Sequence, residues 1–334
     1  LAVLYEEMGR AMFPSPHLST VVLCGLTILA AGDKKQKAEF LPKIVEGDMI
    51  LALALTETTA SWDAEGIKAT ATACGDDYII NGTKLFIHDA NIADYFLCAA
   101  ITNERAQPNQ SITLFLVDAK DKGISQTLLK TTAGDKQSEV VFDSVKVPGK
   151  NMVGKINGGW YHLEKVLNLG AVMLCAEMVG AGQSILELTM EHAKTRIRFD
   201  LPIGIHQHVQ EHCIHLLSEV DGSRWVTYQA AWKLSQNLPC DMEVAIAKAW
   251  ASDAHERACW RAHQVFAGVG FNEEFVLSLY TRRAKSAQLY LGDAAHYRNK
   301  IARQLDGWNL EIPKGKPLGL WENEEREQPS TWLR

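Results

Sequence analysis

From Trp160 to Arg198 the chain runs for nearly forty residues without a proline, and the run closes on Arg196-Ile-Arg-Phe199 ahead of Pro202. Proline fixes φ and removes a backbone donor, so its absence over this length predicts one very long helix. Helical text continues over about Gln207 to Leu234 and about Met242 to Val265, then as a fourth and fifth helix through 273–305. Long helices in series pack as a bundle, which defines a C-terminal domain over 158–307. The polar, proline-containing tail, 308–334, is expected to form an extended arm.

Upstream of the bundle the pattern changes twice. Residues 1–49 carry helical periodicity: Leu1, Leu4, Tyr5 and Met8 share one face, and Pro14 and Pro16 break the chain before a second helix from Leu18. From 50 to 157 strand-like runs dominate, among them FLCAAI (96–101), SITLFLVD (111–118) and SEVVFDSVKVP (138–148). Asn81-Gly82, between YII and TKLFI, carries the residue pair preferred in tight two-residue hairpins and predicts a turn there. The order is helices, then a sheet, then more helices.

The totals narrow the function classes. A chain of 334 residues is long for one compact unit and predicts two or three subdomains. Its 47% apolar and 22% charged residues are those of a globular protein, and a net charge of −6 with no basic block argues against nucleic acid or an anionic membrane as partner. Seven scattered cysteines without CxxC spacing fit a reducing cytoplasm. The apolar run from Ser19 to Ala31 is too short to span a bilayer, and no signal peptide is recognisable. LAVLYEEMGRAM opens in mid-helix without an initiating Met, as expected of a chain whose N-terminal portion lies outside this sequence.

The stretch LALALTETTASWDAEGIKATATACGDDYIINGTKLFIHDAN, 51–91, resembles the acyl-CoA dehydrogenase family in its LTE, its small-residue loop with Asp63, its Gly66-Ile67-Lys68 and its YIINGTK followed by Phe86-Ile87. AAGDKKQKAEFLPKIVEGD and VFDSVKVPGKNMVG resemble the same family where its N-terminal and middle domains end. The resemblance implies a mainly α fold with a central β-domain: a helical N-domain, a barrel or sandwich in the middle, and a C-terminal four-helix bundle. It implies FAD as cofactor, an acyl-CoA substrate, an electron-transfer flavoprotein as acceptor, and a homo- or hetero-tetramer.

It also assigns residues. Leu55 and Thr56 would touch the flavin ring, and Phe86 replaces the Trp that packs on it. His88 stands where the family has Thr or Ser beside flavin N5, and Trp62 where it has a pyrophosphate-binding Ser. Arg196, Phe199, Gln207, Gln264 and Gly268 match the set that reaches the adenine and pyrophosphate half from a neighbouring subunit. Within that set Asp200 and Ala267 replace family glycines. Taken without the resemblance, Arg196 complements a helix C-terminus and Gln264 is a surface residue. His208, Glu211 and His212 spell HxxEH, a zinc-type motif, but within a bundle helix they form a His-rich face extended by His215.

Dehydrogenation at Cα and Cβ of a thioester needs a carboxylate against the α-proton. The two family positions for it are occupied by Leu291, in Tyr290-Leu291-Gly292-Asp293, and by Gly170. Asp293 and Glu177 are the nearest acids, and the catalytic residue is left unassigned. Three functions fit: a subunit of a heteromeric acyl-CoA dehydrogenase whose sister chain brings the base, a self-sufficient enzyme with a relocated base, or a flavin monooxygenase on the same fold. A non-catalytic assembly subunit is the remaining class.

Overall fold

The computed structural model describes residues 1–305, and the expected arm at 308–334 lies outside the described residues. Four helical segments open the chain: α1 (Ala2–Arg10), a π-helical stretch (Leu18–Gly25) that runs into α2 (Leu26–Ala31), and α3 (Lys34–Glu46). In α1 the buried positions are Tyr5 and Gly9, whereas Leu1 and Leu4 are exposed. The expected apolar face is therefore rotated, because α1 presses its glycine onto the bundle. A Cβ on Gly9 would sit 1.9 Å from the Glu177 carbonyl oxygen, and one on Gly180 1.7 Å from that of Glu6. Only two glycines allow the helices to cross this closely.

Helix α3 starts on a reciprocal cap. Asp33 accepts from Gln36 N, Gln36 Oε1 accepts from Asp33 N, and the Gln36 amide also donates to the carbonyls of Lys150 and Met152. One side chain thus ties the N-terminal helices to the β-domain.

That domain holds one mixed sheet of β1 (Leu51–Ala54), β2 (Thr70–Cys74), β3 (Asp77–His88), β4 (Tyr95–Ile101), β5 (Ile112–Asp118), β6 (Ile124–Leu129), β7 (Gln137–Pro148) and β8 (Met152–Val153). The order is β6-β7-β3-β2-β4-β5-β8, with β1 parallel to β4. Asn81-Gly82 is not the predicted turn. β3 runs straight through it, and the reversal falls between Cys74 and Asp77. At Gly82 the register against β7 slips instead. Gly82 has φ +151, and a Cβ there would meet the Ala69 Cβ at 2.5 Å, so the glycine serves a bulge and a close approach. Asn81 Oδ1 accepts from Ser144 N across the bulge.

The bundle comprises α4 (Gly159–Thr195), α5 (Gln207–Ser235), α6 (Asp241–Phe266), α7 (Val276–Leu289) and α8 (Ala294–Leu305). A short hairpin, β9 (Ile197–Arg198) with β10 (Leu201–Pro202), links α4 to α5. Among the described helices α4 alone is long and apolar enough to cross a membrane, but 83% of its apolar window is buried inside the protein. Its apolarity is explained by packing on several sides at once.

Candidate active site

The chain leaves β1 through Leu55, Thr56 and Glu57. Leu55 is a core residue whose carbonyl accepts from Lys84 Nζ. Thr56 pairs twice with Leu85: its hydroxyl donates to the Leu85 carbonyl at 2.5 Å, and its carbonyl accepts from Leu85 N at 2.8 Å. Glu57 and Lys84 form a buried ion pair at 2.8 Å. The carboxylate also accepts from Lys68 N and Ala69 N, and the ammonium donates to the Ala99 carbonyl. Each buried charge is paired and fully hydrogen-bonded, the condition under which such a pair holds a loop rigidly.

This loop floors a cavity of about 580 Å³ whose walls include Thr56, Trp62, Phe86, His88, Asp135 and Tyr290. A second slip of β3 between Lys84 and Ile87 leaves Phe86 left-handed, at φ +60, and half-exposed toward the cavity. His88 lies with its ring centroid 3.9 Å from that of Tyr290, and Trp62 meets Tyr290 edge-on at 5.4 Å. All three rings line the cavity. Burial pulls the His88 imidazole down to about 4 despite Asp135 at 4.0 Å, so the ring is neutral near pH 7. Burial raises the Asp135 carboxyl, but donors from Ser286, Thr131 and Gln137, with His88 beyond them, outweigh it and hold the group below its usual range.

Both family positions for a base are packed with hydrocarbon. A Cβ on Gly170 would stand 2.8 Å from Leu23 Cδ2 and 3.0 Å from Leu291 Cδ1, and Leu291 is 2% exposed. Leu291 is held at φ +59, where a leucine is strained. Lys248 is the clamp: its buried Nζ donates to the carbonyls of Ala287, Gln288 and Gly292 and to Ser252 Oγ. Desolvation lowers this ammonium to about 8. Asp293 accepts from His296 N at the start of α8, which is a structural cap. His296 Nδ1 stands 3.6 Å from Asp63, and its buried Nε2 has no partner among the described residues.

The remaining candidates lie elsewhere, at the end of the bundle where α4 and α6 stop and α5 starts. Ala193, Cys213 and Val265 cluster there with Ile203 and Val209. Arg196 caps α4, and the hairpin reverses at Phe199 and Asp200, with φ +52 and +66. Asp tolerates the left-handed region better than most residues, so the family glycine is dispensable at 200. Phe199 is 91% exposed. Gln207 opens α5, Gln264 is in the last turn of α6, and Gly268 has open space where a side chain would stand. Arg196, Gln207, Gln264 and Gly268 are exposed too, and none of the five lines the cavity.

An exposed guanidinium, a free aromatic face and a bare glycine suit a phosphate and a heteroaromatic ring. At the cavity, an indole (Trp62) stands where the family resemblance puts a pyrophosphate-binding Ser. The exposed set suits the adenine and pyrophosphate half of a flavin dinucleotide, whereas the cavity offers an indole where the resemblance puts a hydroxyl donor. His208 and Glu211 are solvent-exposed on α5, and among the described residues no group of His, Cys, Asp and Glu is arranged to hold a metal ion. Lys84, Asp135, Lys248 and His296 escaped the sequence reading. Lys84 sits inside the quoted YIINGTK, which was the available signal, whereas nothing in the sequence marks Lys248 as buried.

Residues 52–145 match the acyl-CoA dehydrogenase middle domain, and residues 157–305 the acyl-CoA dehydrogenase C-terminal domain. A short-chain specific acyl-CoA dehydrogenase of Megasphaera elsdenii is 32% identical over 278 residues, covering 82% of this chain and 72% of that protein. The caffeyl-CoA reductase-Etf complex subunit CarC of Acetobacterium woodii is 29% identical over 295 residues, covering 87% of this chain and 78% of that protein. The solved butyryl-CoA dehydrogenase from Megasphaera elsdenii superposes with a TM-score of 0.86 at 29% identity, covering 91% of this chain and 81% of that one. The chain belongs to the acyl-CoA dehydrogenase family, a family of FAD-dependent enzymes, and has its fold.

Proposed function

We propose that this chain serves α,β-dehydrogenation of an acyl-CoA thioester as the subunit of a hetero-oligomer that does not carry the base. The observation behind this reading is the hydrocarbon at both base positions, Leu291 against Gly170 with Leu23 closing the gap. FAD, when bound, supplies the acceptor for the β-hydride. Arg196, Phe199, Gln207, Gln264 and Gly268 would grip its adenine and pyrophosphate half across a subunit interface. Leu55, Thr56, Phe86 and His88 mark the ring-side place in this chain, beside Trp62 and Tyr290, and neither family base position there carries a carboxylate.

An exposed aromatic face on α5 and α6, with Trp225, Trp232, Trp250 and Trp260, supports assembly into a tetramer. The name of the CarC relative supports an electron-transfer flavoprotein as acceptor. Seven free cysteines, six of them buried, suit the cytoplasm. The domain limits proposed are 1–49, 50–157 and 158–307.

The test is expression alone and with candidate sister chains of the same family, followed by flavin spectra and dye-coupled dehydrogenation. Stoichiometric FAD and turnover only in the mixed assembly is the expected result. Turnover by the chain alone would overturn the reading.

A further inference from the structure

The HxxEH stretch of α5 takes no part in the proposed chemistry. Among the described residues no three metal ligands gather around one point, but two do. His208 and His212 stand one helical turn apart, so their side chains leave the same face of α5. Their Nε2 atoms lie 3.1 Å apart, with the ring centroids at 4.5 Å. Two imidazole nitrogens, each about 2.0–2.1 Å from one ion, are roughly 2.9 Å apart at a right angle and roughly 3.4 Å at the tetrahedral angle. The observed separation falls between these limits, so the donor spacing of a chelate is already present.

The two rings are held differently. His212 is buried, edge-on to Trp260 at 5.7 Å, and its Nδ1 is enclosed without a partner, so Nε2 is the nitrogen it can offer. Desolvation first, then His208 and Arg261, hold its imidazole below the usual range, which leaves it unprotonated at neutral pH. The His208 side chain is 78% exposed and reaches the same point from the solvent side. The Glu211 carboxylate stands 3.6 Å from His208 Nδ1 and 3.9 Å from His215 Nε2. An anion beside Nδ1 favours the proton on that nitrogen and leaves Nε2 with its lone pair, as a carboxylate does behind a metal-bound histidine. Its charge also offsets that of Arg261 for an incoming cation.

We propose that His208 and His212 chelate a divalent transition-metal ion through their Nε2 atoms, with water in the remaining positions. Imidazole donors suit Cu(II), Ni(II) and Zn(II), and not the oxygen-seeking Mg(II) or Ca(II). The site is independent of which chain carries out dehydrogenation. Because the ion binds two residues that only the folded helix brings together, it stabilises the protein against heat.

Calorimetric titration of the untagged chain, treated with EDTA and dialysed, against CuCl2, NiCl2, ZnCl2 and MgCl2 tests the site. The expected result is one ion per chain, with Cu(II) bound most tightly, as the order of divalent affinities requires, and no binding of Mg(II). His208→Ala, at an exposed position, and His212→Gln should each weaken binding at least tenfold and remove the metal-dependent rise in Tm. His162→Ala, on α4, should leave both unchanged. Binding that survives both α5 variants, or that falls equally in His162→Ala, places the ion elsewhere and overturns the proposal, as does the absence of saturable binding by any of the three transition metals.

Discussion

The cavity floored by the β1 loop and the far end of the bundle have diverged in opposite ways. At the cavity the framework is intact: Glu57 and Lys84 are paired, Thr56 is locked to Leu85, and Lys248 clamps the Tyr290–Gly292 turn. The groups that would do chemistry there are replaced by Trp62, His88 and Leu291. At the bundle end Ala267 is held at φ +52 where the family resemblance puts glycine, and Arg196, Phe199 and Gln264 are exposed. A scaffold that keeps its rigid parts but carries hydrocarbon at both base positions, while presenting an open grip, is suited to serving a neighbour's site.

The sharpest way to break this contrast is catalytic. A positioned general base contributes roughly 10²–10⁴ in rate, so the singly expressed chain should fall short of an active relative by that margin on a straight-chain acyl-CoA. Leu291→Glu restores a carboxylate and should recover turnover only where the Trp62 side is also opened. Next in size, Lys84→Met strands Glu57 in the core. Breaking a buried pair from one side costs about 3–5 kcal/mol, which urea denaturation would measure, and a smaller loss would show that the loop is held by other means. Third, Arg196→Ala should weaken FAD retention in the assembled protein by roughly 1.5–3 kcal/mol with little change in stability. Equal retention of FMN by the wild type would mean that the adenine half is not gripped at all. The smallest effect belongs to Trp62→Ser. It removes one aromatic pair worth about 0.5–1.5 kcal/mol and should broaden the range of acyl groups bound; unchanged binding would show that the indole does not limit the cavity.

Much of the architecture was legible because periodicity survives substitution. The 37-residue α4, the two helices that follow it and β4, β5 and β7 fall where the apolar patterns put them. Asn81-Gly82 misled because the same permissive backbone serves a bulge as readily as a turn, and choosing between them depends on β7 and Ala69, both distant in sequence. Leu1 and Leu4 misled for a related reason: a glycine contact with α4 overrode the apolar face of α1. At the site, individual replacements could be read, but not their consequence. That Leu23 meets the space beside Gly170 and Leu291 follows only from packing, as does the burial of Lys248 among carbonyls.

Lys248 also restricts ligand traffic. Lifting Tyr290–Asp293 away from α6 would break the Nζ contact with the Gly292 carbonyl and leave the buried ammonium with the Ala287 and Gln288 carbonyls of α7 and Ser252 Oγ. This turn is therefore a fixed doorpost. Across the outer cavity the wall at Lys130–Ala133 belongs instead to the connecting loop between β6 and β7.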